Sequence, residues 1–174
     1  MAAITYRGWS ARWLFVLTAV VLFALASGSQ AVSGDGSGGD ASYHNQKGLD
    51  YFNKGFYDHG PKRQVQEAEQ NYGLATAEFM KALSLDPASA DAHRNLARLY
   101  YVQKNFDGAA QEYKKVTELA SYDLDAYVNL ALAYIELGKY DAAIEALQKV
   151  KTQTADQKAR EKLDTYIDKV RQRQ

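Results

Sequence analysis

The sequence predicts an all-α fold, a solenoid of about three helical hairpins closed by a C-terminal capping helix. Two ungapped copies of one hairpin-sized segment stand 34 residues apart, and a third, interrupted copy precedes them. Apolar residues recur throughout at spacings of three and four, which is the spacing of one helix face. Composition agrees. Apolar residues make up 47% and charged residues 24%, ordinary values for a globular chain, while two prolines and no cysteine among 174 residues exclude collagen-like and disulfide-framework classes.

The first element is a targeting segment. Residues 1 to 12 carry Arg7 and Arg12 and no acid, and an uncharged run from Trp13 to Ala26 (WLFVLTAVVLFALA) follows. A basic start before a short apolar core is the pattern of an export signal. Fourteen residues make about 21 Å of helix, short of the roughly 30 Å of a hydrocarbon core. Small residues suited to cleavage stand at Ala24 with Ala26 or at Ser29 with Ala31, so residues 1–31 read as a signal peptide and the product as periplasmic or secreted. A retained segment would instead anchor the chain, its arginines keeping the remainder outward, and would be the chain's one membrane contact. The absence of cysteine rules out a lipoprotein anchor.

Residues 32–40 (VSGDGSGGD) have almost no apolar area to offset backbone ordering and read as a Gly/Ser-rich linker. Their two aspartates lack the other oxygen ligands of a calcium loop. Removing residues 1–31 takes away two arginines and no acid, leaving the rest slightly acidic. That balance gives no basic stripe for phosphates, so no nucleic-acid partner is expected.

The repeat domain covers residues 41–174. Its first repeat, about 41–89, opens with Gly48, Tyr51, Phe52, Gly55 and Tyr57, which answer to Ala131, Tyr134, Ile135, Gly138 and Tyr140. Its second half resumes at Ala75, Phe79, Ala82 and Pro87 after 15 extra residues. Within the insertion Val65, Ala68 and Tyr72 continue the seam of Ala75, Phe79 and Ala82, predicting one long inserted helix of about 24 residues from Pro61, or two helices broken at Gly73. Such a helix overhangs its partner and offers Val65 and Tyr72 as a second contact surface. The alternative is that the preceding helix lengthens through Phe56 and covers it.

The second and third repeats, about 90–123 and 124–157, are the clean copies. Asn95, Leu96, Ala97 and Tyr100 answer to Asn129, Leu130, Ala131 and Tyr134, and Phe106, Ala109 and Val116 answer to Tyr140, Ala143 and Val150. Small residues let paired helices approach while leucine and tyrosine fill the seam one turn away. Residues 158–171 carry Leu163, Tyr166, Ile167 and Val170 on one face and charge elsewhere, as a capping helix requires.

The 34-residue period with this order of large, small and aromatic positions resembles the tetratricopeptide repeat (TPR). The chain departs from that pattern in the insertion, in Lys47 where leucine is usual, and in His44 and His93 where a large aromatic is usual. The resemblance implies a TPR-type solenoid whose first helices line a concave face. Asn45, Leu49 and Phe52, then Arg94, Arg98 and Tyr101, then Val128, Leu132 and Ile135 would face inward. Because Tyr127, Leu130, Ala131 and Tyr134 already supply a packing stripe, Val128, Leu132 and Ile135 form a second one, and a helix apolar nearly all round calls for a cover.

Some members of the family hold a C-terminal carboxylate between three inner helices. By that resemblance Arg94 and Arg98, Asn129, and Lys158 with Lys162 form the clamp, the lysines requiring a final linker one residue shorter. Asparagine is usual where Arg98 stands.

No catalytic constellation accompanies this. The sequence has no cysteine nucleophile, no phosphate loop and no histidines four apart. His44 and His93 read as packed imidazoles rather than metal ligands, and His59 beside Gly60 and Pro61 reads as a turn. Asp123 and Asp125 read as helix-start capping carboxylates. The expectation is a non-enzymatic adaptor without cofactor or metal, binding another protein or its C-terminal tail. Its rival is a self-assembling envelope protein whose groove receives a neighbouring subunit.

Overall fold

The computed structural model describes residues 39–59 and 64–173. Residues 1–38, where a signal peptide and most of the linker are expected, and Pro61 lie outside the described residues. Within them the chain is helical: α1 (Ala41–Asn53), a π-helical turn (Lys54–His59), α2 (Val65–Leu85), α3 (Ala90–Val102), α4 (Phe106–Leu119), α5 (Leu124–Glu136), α6 (Tyr140–Gln153) and α7 (Gln157–Arg171). Each helix packs on the next in chain order, and α1 also touches α3. These are three hairpins and a closing helix.

The chain's own residues start and stop these helices. The side chains of Asp40, Ser89, Asn105, Asp123 and Asp156 accept hydrogen bonds from backbone amides of the first turns of α1, α3, α4, α5 and α7. The two intact hairpins turn identically. Asn105 N–H donates to the Tyr100 carbonyl and Lys139 N–H to that of Tyr134, each at 2.8 Å. Both turns need one left-handed residue: Gly138 at φ 69° in the third repeat and Lys104 at φ 59° in the second.

Two apolar clusters form the core. One gathers Phe52, Ala68, Tyr72, Phe79, Leu96 and Leu99 around the first hairpin. The other gathers Ala97, Tyr113, Leu130, Leu147, Ile167 and Val170 around the later helices, with Tyr100 packed against both. Ala97 and Ala131 are fully buried, as their role as close-approach positions demands. On α7, Ile167 and Val170 are buried and Leu163 half-buried, whereas Tyr166 is exposed and outside the seam it was expected to fill.

The insertion corrects two expectations. Helix α2 runs unbroken through Gly73, but it begins at Val65, has 21 residues and is about 32 Å long. It does not overhang freely. The preceding helix continues through the π-helical turn, Phe52 stacks on Phe56 at 5.7 Å, and Phe52 packs on Tyr72 at 6.2 Å. Tyr72 is therefore core, 7% exposed, and Val65 alone of the proposed second surface faces solvent. Gly55 allows the close approach: a Cβ there would stand 2.8 Å from the Tyr72 ring and 3.1 Å from the Ala68 carbonyl.

Candidate binding groove

The first helix of each hairpin brings part of the expected set together. Arg98 and Tyr101 of α3 and Asn129 of α5 line one cavity of about 200 Å³ with Phe52, Phe56, Val102 and Tyr113. Arg98 is exposed, and its guanidinium lies over the Phe52 ring at 5.5 Å, a cation–π contact that holds the charge at the cavity without neutralising it. Asn129 donates one amide hydrogen to the Asp125 carbonyl at 2.8 Å. A side-chain amide has a second hydrogen.

Tyr113 was not among the residues expected here. It projects from α4, the second helix of its hairpin, and burial pushes its phenol up to about 12, despite the opposing influence of nearby Arg98. Its counterpart 34 residues on is Leu147, so the exchange of leucine for tyrosine was the available signal. Phe56 was legible as a covering residue and not as part of the groove, because the π-helical turn that carries it has no counterpart in the other repeats.

Other members of the predicted set have different roles. Arg94 is no open donor: its guanidinium pairs with Asp123 at 2.6 Å and with Asp91. Burial would lower Arg94, but the two carboxylates outweigh it and hold the guanidinium above its ordinary value. Burial would likewise raise Asp123, yet the Ala126 amide and Arg94 hold it below the usual carboxylate range. Arg94 thus braces α3 against the cap of α5. Asn45 accepts from Asn95 at 3.0 Å, joining the first helices of two hairpins.

Val128, Leu132 and Ile135 are each half-buried, with Ile135 packed on the later core. Lys158 and Lys162 are exposed one turn apart on α7, outside the Arg98 cavity. Helices α3, α5 and α7 begin at Ala90, Leu124 and Gln157, so the last linker is one residue short of the 34-residue offset, the register that the lysine placement requires.

The departures from the repeat pattern also have partners. His44 Nδ1 lies 2.6 Å from Glu78 and His93 Nδ1 2.6 Å from Glu112, each glutamate coming from the second helix of the same hairpin. Lys47 Nζ reaches Glu78 at 2.8 Å, which is what lysine gains in a leucine position. Burial would raise Glu78, but Lys47 and His44 outweigh it and lower it. The third hairpin has Tyr127 and Ala146 at the positions of histidine and glutamate. A large and a small residue there replace two of middling size.

Helical hairpins stacked in chain order, each packed on the next, define a helical-repeat fold. The tetratricopeptide-repeat family profile matches residues 67–120 and 103–163, together more than half of the chain, and the chain belongs to that family. No curated protein sequence matches it. Among solved structures it is similar to the TPR2B domain of yeast Sti1 in an Hsp70 complex, at 20% identity and a TM-score of 0.59, covering 77% of this chain and 98% of that one. It is also similar to the first TPR of Spaghetti (RPAP3) bound to the HSP90 peptide SRMEEVD, at 20% identity and 0.53, covering 74% and 93%. The second TPR domain of human RPAP3 with the HSP70 peptide SGPTIEEVD matches at 18% and 0.56, covering 75% and 98%. These likenesses establish the fold.

Proposed function

We propose that this chain is an exported adaptor that holds the C-terminal tail of another protein along its concave face. The observation that carries the reading is the cavity where Arg98 keeps an uncommitted guanidinium beside the Asn129 amide and four aromatic rings. Charged donors at a partly desolvated rim favour a carboxylate, and rings favour the apolar part of the same ligand. Solved relatives of the same fold are described with peptides bound, which agrees with this reading. The half-buried stripe of Val128, Leu132 and Ile135 extends the apolar surface, and Lys158 with Lys162 supplies further positive charge. The basic, apolar N-terminal segment supports export.

The test begins with capture of the partner from an envelope extract and synthesis of its last ten residues as free acid and as amide. Amidation and Arg98→Ala are each expected to weaken binding by about tenfold at low salt and by less at high salt. Equal affinity of acid and amide overturns the carboxylate reading, and recovery of the unprocessed chain in the cytosol overturns export. Self-assembly, with a neighbouring subunit in the groove, finds support in Leu74, Met80 and Leu85, exposed on α2. A concentration-dependent mass would favour it.

A further inference from the structure

The cavity beside Arg98 has one wall that a regular 34-residue repeat does not have. Phe56 belongs to the π-helical turn, stacks on Phe52, is 40% exposed and forms one wall of the cavity. Tyr113, 2% exposed, contributes from the second helix of its hairpin. The volume is about 200 Å³, compared with the roughly 150 Å³ of an engineered cavity that takes up benzene. An aromatic side chain fits such a space. The guanidinium at its rim is the cation left over in this part of the groove, since Arg94 is neutralised by Asp91 and Asp123 and, among the described residues, no carboxylate pairs with Arg98.

We propose that this cavity is a specificity subsite for one residue, an aromatic C-terminal residue of the partner. Its ring stands among Phe52, Phe56 and Tyr113, and its α-carboxylate accepts from the Arg98 guanidinium and the second hydrogen of the Asn129 amide. Terminal aromatic residues meet both requirements because ring and carboxylate hang from one Cα. An internal acid would need a second residue to supply the ring. This inference rests on the adaptor reading and adds which chemistry the partner's last position carries.

The experiment uses the purified chain and pools of dye-labelled decapeptides with degenerate upstream positions and a defined last residue, each pool made as free acid and as amide. Fluorescence anisotropy is expected to show the Phe, Tyr and Trp acid pools binding about tenfold tighter than the Ala acid pool or the Phe amide pool. Phe56→Ala and Arg98→Ala, both at exposed positions, are expected to bring that preference to within about twofold, with the helical circular dichroism unchanged. Phe56→Leu keeps apolar volume and is expected to reduce the preference for rings specifically.

Pools that bind alike whatever their last residue, with binding lost in Leu132→Asp, overturn the subsite and leave the adaptor reading standing. Tight binding of amidated pools rich in internal acids overturns the α-carboxylate assignment. Failure of every pool to bind overturns subsite and adaptor reading together.

Discussion

At the scale of single residues, the positions that break the repeat pattern are those where a polar network replaces an apolar contact. His44, His93 and Lys47 stand out in the sequence as misfits, and their cause was not readable there because Glu78 and Glu112 come from the facing helix. Arg94 shows the same limit in reverse. Its one-turn spacing from Arg98 suggests a pair of equal donors, but Asp123 caps the next hairpin's helix and takes one of them. Tyr113 offers a test of the burial that shapes the groove. Its folded-state phenol is held at about 12, against an ordinary value of 10, so above pH 10 the unfolded chain loses a proton that the folded chain keeps. Stability is therefore whole below pH 10 and falls as pH rises from there through about 12. Urea denaturation at about pH 9 and about pH 11 is expected to show a smaller loss for Tyr113→Phe than for the unmodified chain, and an equal loss contradicts the burial.

At the scale of elements, the clean repeats were legible because their period, small positions and aromatic positions all report the same packing. The insertion was legible as helix and not as architecture. The three-and-four spacing of Ala68, Tyr72, Ala75 and Phe79 marks a seam, but a seam does not say what covers it, and the π-helical turn that does so leaves no periodic trace. Whether α2 breaks at Gly73 was likewise open in the sequence. The helix runs through it, with Gly73 exposed and, apart from its chain neighbours and the backbone of its own helix, no atom within 4 Å of where a Cβ would stand. Gly73→Ala is therefore expected to stabilise the domain by about 1 kcal/mol, because alanine loses less backbone entropy in a helix and meets no clash. A lower denaturation midpoint for Gly73→Ala would indicate that α2 needs a break there.

At the scale of the whole molecule, the hairpins convert local packing into an aromatic cavity that carries Arg98, with Phe56 supplied by the insertion, while the half-buried stripe of α5 lies outside that cavity's lining. The sequence disclosed the stripe through its excess of apolar positions and disclosed Arg98 through the family resemblance. It did not disclose the aromatic cavity, because that depends on residues far apart in the chain, Phe52 and Tyr113 among them, lining one space. On the proposed function the concave face, and not the outer face of α2, holds the partner. The most direct measurement is affinity for the captured partner's tail by titration calorimetry, comparing Leu132→Asp on the groove with Leu74→Asp on the outer face. Each introduces one carboxylate at an apolar site, but only the first must be desolvated on binding. With folding confirmed by circular dichroism, Leu132→Asp is expected to weaken binding at least about tenfold at low and high salt alike, and Leu74→Asp by less than about twofold. Full affinity in Leu132→Asp together with loss in Leu74→Asp would contradict the account and move the binding face to the convex side.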